Sequence, residues 1–236
     1  MDYGSRILFQ SIVLTHVARR IIDTTMTGPS EPTEALEFGS RAQSTRRRRQ
    51  AILDAALECF ATIGYDQTTL ADIRQKAGAS TGSIYHHFGS KERIAASLYL
   101  DGLRQTQEAG LAALLRTRTA RTGIAAQVGA YIDWVLDHPA LATFLFATRR
   151  APFLDDDEPS IAALNTATHE RAAQWIADQV AAGELPDLEP VMRWALVFGP
   201  CRHWTGSWLR GTTTTSPNDA KRQISTAVYA GLQALI

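Results

Sequence analysis

Cysteine is scarce in this chain: two residues, Cys59 and Cys201, stand among 236. Both fall inside apolar helical patterns. Neither belongs to a C-x-x-C pair or to a Cys/His spacing that suits zinc. A disulfide-stapled scaffold is thereby excluded, and a reduced, cytoplasmic protein is expected. No apolar run approaches the roughly 18 residues of a membrane span, so no membrane partner is expected. Ile7–Val17 is apolar, but Asp2 precedes it and Arg19-Arg20 follow, the reverse of a signal peptide's charge order. Period-two alternation is missing over any length that would make a strand. Gly78-Ala79-Ser80-Thr81-Gly82 has the letters G-x-S-x-G but joins two helical patterns instead of a strand to a helix, so it is no nucleophile elbow, and there is no glycine-rich phosphate loop. No catalytic residue, cofactor or metal is therefore expected, and the chain does not read as an enzyme.

Net charge is also absent, but the zero hides a division. Residues 41–100 hold nine Arg/Lys against five Asp/Glu, residues 101–236 hold twelve against fourteen, and residues 1–40 hold three against five. One short segment is basic and its surroundings are not. This favours a polyanion partner for that segment alone.

Residues 1–43 read as an extension and linker, disordered or partly helical. Thr24 to Ser44 is rich in Thr, Pro, Gly, Ser and Glu. Ile7–Ile22 suits a short amphipathic helix, and Met26 is an alternative start. From residue 46 the pattern is helical almost throughout, which predicts an all-α fold. The first helix is expected over Arg47–Ile63, stopped by Gly64. A second follows Thr68 or Thr69 and runs to Ala77. Ser80 caps a short third helix, and a fourth runs from Lys91 past Leu103. Further helices are expected at Ile124–Leu136, Leu141–Arg149, Ser160–Ala182, Leu188–Leu209 and Asn218–Ile236. The acids Asp155–Glu158, with Pro159, read as the cap of the helix after them.

Four arginines, Arg46–Arg49, stand at the amino end of the expected first helix. Cations are unfavourable there by roughly 0.3–1 kcal/mol each. Their placement makes sense if an anion meets them, and DNA phosphate is the obvious one. Downstream lies the stretch STGSIYHHFGSKE, Ser80–Glu92. The second helix, the turn at Gly78 and the third helix have the spacing of a helix-turn-helix over residues 44–92. Ile84 and Phe88 face inward, which turns Thr81, Gly82, Ser83, Tyr85 and His86 outward. Hydroxyls and imidazoles can bond base edges and phosphates, and Tyr85 can pack on thymine methyls. Lys91 is placed to clamp a flanking phosphate. Adjacent helical residues point about 100° apart, so His86 and His87 make a poor metal pair.

Together the Arg-rich start, I52-L-x-A-A-x-x-x-F60, G64-Y65, T68-T69-L70-x-x-I73, A77-G78-A79-S80 and G82-S83-I84-Y85-x-H87-F88-x-S90-K91-E92 resemble the tetracycline-repressor (TetR) family of transcription regulators. The resemblance covers about residues 46–100. It implies contacts to double-stranded DNA from Arg47, Arg48, Thr69, Thr81, Gly82, Ser83, Tyr85, His86 and His87, with a phosphate contact from Lys91. Ala71 stands where relatives often have a basic or polar side chain, and Arg74 where a small one is common. For residues 93–236 the resemblance implies a helical body that binds a ligand and makes a homodimer.

All five tryptophans lie in that body. Trp134, Phe144, Trp175, Phe198 and Trp204, with Phe146, are the candidates to line a pocket for a small apolar or aromatic effector. Asn165, Thr168, His169 and His203 are candidate polar partners. Trp194, Val197, Cys201, Trp204 and Trp208 share one helical face, and Ile224, Ala227, Val228, Gly231, Leu232 and Leu235 share another. These faces predict a four-helix dimer interface. The expectation is a dimeric, ligand-responsive repressor on a near-palindromic operator. Its rival is a DNA-binding or partner-binding helical protein with no small-molecule ligand.

Overall fold

A computed structural model describes residues 34–236, with side chains from Gln43 onward. The expectations for Ile7–Ile22, Met26 and the linker before residue 34 lie outside the described residues. Residues 44–236 form one compact unit. Among the described residues there is no strand.

Helix α1 spans Glu34–Ile63. It begins at Glu34 and not at Arg47, so residues 34–43 of the expected extension are helical. Glu34, Ala35, Leu36 and Glu37 are good helix formers placed just after Pro32, and they outweigh the Ser, Thr and Gly around them. Arg46–Arg49 consequently lie more than three turns inside the helix. The end-dipole penalty acts only over the first turn, so it does not apply to them. What remains is their charge: all four are exposed.

The head is held by caps and one small core. Ile52, Leu53 and Ala56 of α1 are fully buried, together with Ile73 and Ile84 from the next two helices. Helix α2, Leu70–Ala77, opens with a capping box: the Thr69 amide donates to Asp72 Oδ2 at 2.8 Å and the Asp72 amide donates to Thr69 Oγ1 at 3.2 Å. The Thr69 hydroxyl also donates to Asp72 Oδ2, and this bond, then the one from the Thr69 amide, holds the Asp72 carboxyl below its usual range. Gly78, at φ +58°, supplies the left-handed turn into α3, Thr81–His87. Ser80 Oγ caps α3 by accepting from the Ser83 amide at 3.1 Å.

Helix α4, Lys91–Leu114, starts directly after α3 and crosses into the body. The body contains α5 (Ala120–Asp137), α6 (Pro139–Thr148), a 3-10 turn (Pro152–Asp157), α7 (Glu158–Ala181), α8 (Pro190–Leu209) and α9 (Pro217–Gln233). Helix α4 packs along α5, α6 and α7, and α5 in turn holds α8 and α9. At Gly102 of α4 a Cβ would sit 2.7 Å from Leu145, so α6 packs closely where that side chain is missing.

Aromatic rings join the head to the body. Phe60 of α1 stacks on Phe144 of α6, with centroids 5.3 Å apart and planes 11° from parallel. Tyr65 meets Phe60 edge-on at 5.3 Å and Phe153 at 4.9 Å. Glu158 and Pro159 stand in the first turn of α7 as expected, but the acidic run makes no side-chain capping bond. Most of it forms the 3-10 turn, and Asp157 lies at the α7 amino end without a capping bond, 4.0 Å from Arg93.

Candidate nucleic-acid interface and body cavity

Helix α3 shows a polar face to solvent. Thr81, Gly82, Tyr85 and His86 are exposed, Tyr85 to 58%. A Cβ added at Gly82 would meet nothing within 4 Å, so this backbone is open to close approach. Ser83 departs from expectation: it is half-buried and its hydroxyl is enclosed with no hydrogen-bond partner among the described residues. It stands next to Ile84, and the short helix tips it toward the core.

The fold brings α1's arginines to α3's carboxy end. The Arg49 guanidinium sits 4.9 Å above the Phe88 ring. The half-buried His87 ring lies 5.2 Å from that of His86. Burial, then His86, Arg48 and Arg49, hold the His87 pKa below its ordinary value. A cluster of cationic groups thus borders the exposed face. Arg47 is exposed beside it, as are Ala71 and Arg74 on α2. Thr69 is exposed, but its hydroxyl is engaged in the capping box at 2.7 Å from Asp72 Oδ2.

Lys91, the expected phosphate clamp, is engaged within the head. Its Nζ donates to Tyr65 O at 3.0 Å and Asp66 O at 3.4 Å, and it lies 4.5 Å over the Tyr65 ring. Carbonyls of the turn after Gly64 face the start of α4, and the ammonium ties the two together. The cysteines are chemically quiet: burial raises the Cys59 pKa and pushes that of Cys201 up to about 12.

In the body, α4 to α9 enclose a cavity of about 150 Å³. Of the expected pocket residues, Trp134, Phe146, Trp175 and Phe198 line it. Phe144 does not, because it is spent on Phe60. Trp204 does not either, because it stacks on Trp208 at 5.4 Å. Thr168 and His169 reach the cavity, whereas Asn165 accepts from Gln107 Nε2 at 2.7 Å and His203 lies in a separate outer groove. Sequence reasoning missed Arg149, Arg193 and Arg202, which also line the cavity. Nothing in local periodicity singles them out; only the helix packing gathers them.

The expected dimer face needs correction. Val197, Cys201, Val228 and Leu232 are buried inside the subunit, at 4%, 0%, 8% and 2% exposure, and cannot meet a partner. Trp194 lines the cavity, and Trp208 and Ile224 are half-buried. Helices α8 and α9 carry apolar residues on two sides, and the larger side faces inward. Left outward are Val191, Met192, Ala195, Leu196 and Gly199 on α8, and Ala227 and Gly231 on α9.

A capped helix-turn-helix with an outward polar helix and flanking arginines, joined by one long helix to a helical body, defines a DNA-binding regulator of the one-chain type. The family model described as "Bacterial regulatory proteins, tetR family" matches residues 52–98. The regulator RutR of Escherichia coli K12 is 31% identical over 173 residues, which span 70% of this chain and 77% of RutR. The chain belongs to the tetR family, whose members are regulators of transcription and not enzymes.

Further matches are shorter or structural. The repressor AcnR of Corynebacterium jeikeium is 36% identical over 74 residues, and the repressor Rv1474c of Mycobacterium tuberculosis is 45% identical over 51. Those matches span 39% of AcnR and 27% of Rv1474c. Among solved structures, a TetR family regulator from Marinobacter aquaeolei shares the fold, with a TM-score of 0.66 at 19% identity, over 81% of this chain and 98% of that one. FadR of Bacillus subtilis, solved in complex with stearoyl-CoA, aligns with a TM-score of 0.63 at 22% identity, over 79% and 98%.

Proposed function

We propose that the chain acts as a homodimeric repressor that binds a near-palindromic operator and releases it when a small molecule enters the body. The observation that carries this reading is the exposed row Thr81, Gly82, Tyr85 and His86 set beside the exposed arginines of α1. The row is short enough to enter a major groove, and the arginines are placed to neutralise phosphates on its flank. Being named repressors, AcnR and Rv1474c favour the sign of regulation.

Two copies would meet through the outward small and apolar residues of α8 and α9, around Leu196, Gly199, Ala227 and Gly231. The two α3 helices would then read half-sites about one helical turn, ~34–36 Å, apart. A chromosomal target places such a protein in the cytoplasm.

The proposed effector response rests on α4. That helix follows α3 directly and also supplies Tyr99, Leu103 and Gln107 to the cavity wall. A molecule wedged against those residues would tilt α4 and carry the head with it, while the Phe60–Phe144 stack forces α1 to follow. The effector must bind the DNA-free arrangement more tightly than the DNA-bound one, or it shifts nothing. The stearoyl-CoA held by FadR supports effector binding in a body of this fold.

The test is to select duplexes from a random pool with the full chain, then challenge the bound fragment with a metabolite panel by gel shift. A recovered inverted repeat, released by at least one compound, is expected. Recovery of no common sequence would defeat the proposal.

A further inference from the structure

Some arginines elsewhere on the body surface have carboxylate partners, while others, such as Arg116, Arg121 and Arg150, are exposed without one among the described residues and stay solvated. Arg104 pairs with Asp101 at 3.0 Å, Arg171 with Glu108 at 2.5 Å and Arg222 with Asp219 at 2.7 Å. Among the described residues, Arg149 and Arg202 have no such partner. Arg202 is half-buried, and its guanidinium sits 5.9 Å from the Phe146 ring; Arg149, at the end of α6, is exposed. Both line the inner cavity, and both also line an outer groove of about 550 Å³ that Phe146 and Trp194 share. They therefore stand where the cavity meets the groove, whose wall also includes Val191, Ala195 and Gly199 of the proposed subunit contact. Among the described residues, neither the cavity nor the groove has an Asp or Glu in its wall, although the groove also holds His203 and Arg210. The third cavity arginine, Arg193, is already engaged, donating to Leu188 O at 2.6 Å.

Deeper in, the wall is aromatic and aliphatic. Trp134 is only 7% exposed, and its indole N–H is enclosed with no acceptor among the described residues. A partly desolvated guanidinium without a counter-ion and a buried N–H without an acceptor are both costly, and both favour an incoming group rich in acceptors. Planar guanidinium suits carboxylate, sulfonate or phosphate oxygens.

We infer that the effector is an amphipathic organic anion: its apolar or aromatic body fills the cavity against Trp134 and Phe198, and its acid group is taken at the mouth by Arg149 and Arg202. This rests on the proposed effector response, and it narrows the expected apolar or aromatic ligand to one carrying negative charge. Neutral hydrophobes and organic cations are disfavoured, since neither satisfies the arginines.

The test uses the full-length protein and two dyes of nearly one shape. 8-Anilinonaphthalene-1-sulfonate is anionic, and N-phenyl-1-naphthylamine is the same ring system without the sulfonate. Binding is followed by dye emission and by quenching of the cavity tryptophans. The anionic dye is expected to bind tighter by roughly tenfold or more, about the strength of one charge-assisted hydrogen bond. Arg202→Gln and Arg149→Gln should each remove most of that advantage and leave the neutral dye's affinity within about twofold, with melting temperature and far-ultraviolet dichroism confirming the fold. Equal affinity of the two dyes, or no binding of either, overturns the inference. Variants that weaken both dyes alike overturn it as well. So do variants that lower dimer stability in sedimentation without changing dye affinity, since these arginines would then belong to a subunit contact. Release of the selected duplex is read separately: release by the neutral dye alone keeps the effector response and removes the anion requirement.

Discussion

The head and the body of this protein are built from the same material, apolar helices with polar faces, yet they differ in how their sites are assembled. In the head every local signal agrees. Thr69, Ser80 and Ser90 cap successive helices, Gly78 turns the chain, and Ile73 and Ile84 point one way while Tyr85 and His86 point the other. The candidate reading face is a single short segment. In the body the cavity draws on six helices, and α8 and α9 are apolar on more than one side. A site carried by one segment is written in local spacing, whereas a site gathered from many segments exists only after packing.

The hardest way to break the contrast is to cut the joint between the regions. Phe60→Ala removes the ring that stacks on Phe144 and is expected to cost about 3–5 kcal/mol of stability in urea denaturation. A loss under about 1 kcal/mol would show that head and body are held elsewhere. Next in size is the charge carried by the head alone. Arg47→Ala with Arg48→Ala should weaken binding to every duplex alike. It should also flatten the salt dependence by about 0.9 for each phosphate that is no longer neutralised, measured by anisotropy across a salt series. An unchanged slope removes these arginines from the interface.

A smaller effect separates folding from recognition. Thr69→Ala breaks the α2 capping box and is expected to lower stability by about 1 kcal/mol, visible as a lower urea midpoint. If binding falls far more than stability does, Thr69 touches DNA directly. Smallest is the pH effect. Burial and the neighbouring His86, Arg48 and Arg49 hold the His87 pKa below its ordinary value in the free protein. Duplex phosphates would offset that positive charge, so binding takes up a proton and tightens as pH falls from about 7.5 to 6. His87→Gln should flatten the trend, and a variant titrating like the parent chain would exclude His87 as its source.

How far the sequence carries follows the same division. The all-α class, the helix-turn-helix and the outward Thr81, Gly82, Tyr85 and His86 were legible because periodicity, caps and glycines act over a few residues. The bonds of Lys91 were not legible because its partners, carbonyls of the turn after Gly64, become neighbours only in the fold. Ser83 was misjudged because a two-turn helix tips its flank inward. The start of α1 was missed because Ser, Thr and Gly content was weighed above the helix formers that begin at Glu34. In the body, Phe144 and Trp204 are as aromatic as Trp134 and Trp175, and only packing decides which ring meets a ring and which meets space. Val197 and Val228 have the spacing of an interface and the burial of a core.

The most direct measurement compares the parent chain with Tyr85→Ala on a selected duplex and on random DNA, by anisotropy, with sedimentation reporting the oligomer. If α3 reads base edges, the variant should lose about 1–3 kcal/mol on the selected site, keep its weaker affinity for random DNA, and sediment as the parent does. An unchanged preference for the selected duplex would mean that some other surface does the reading.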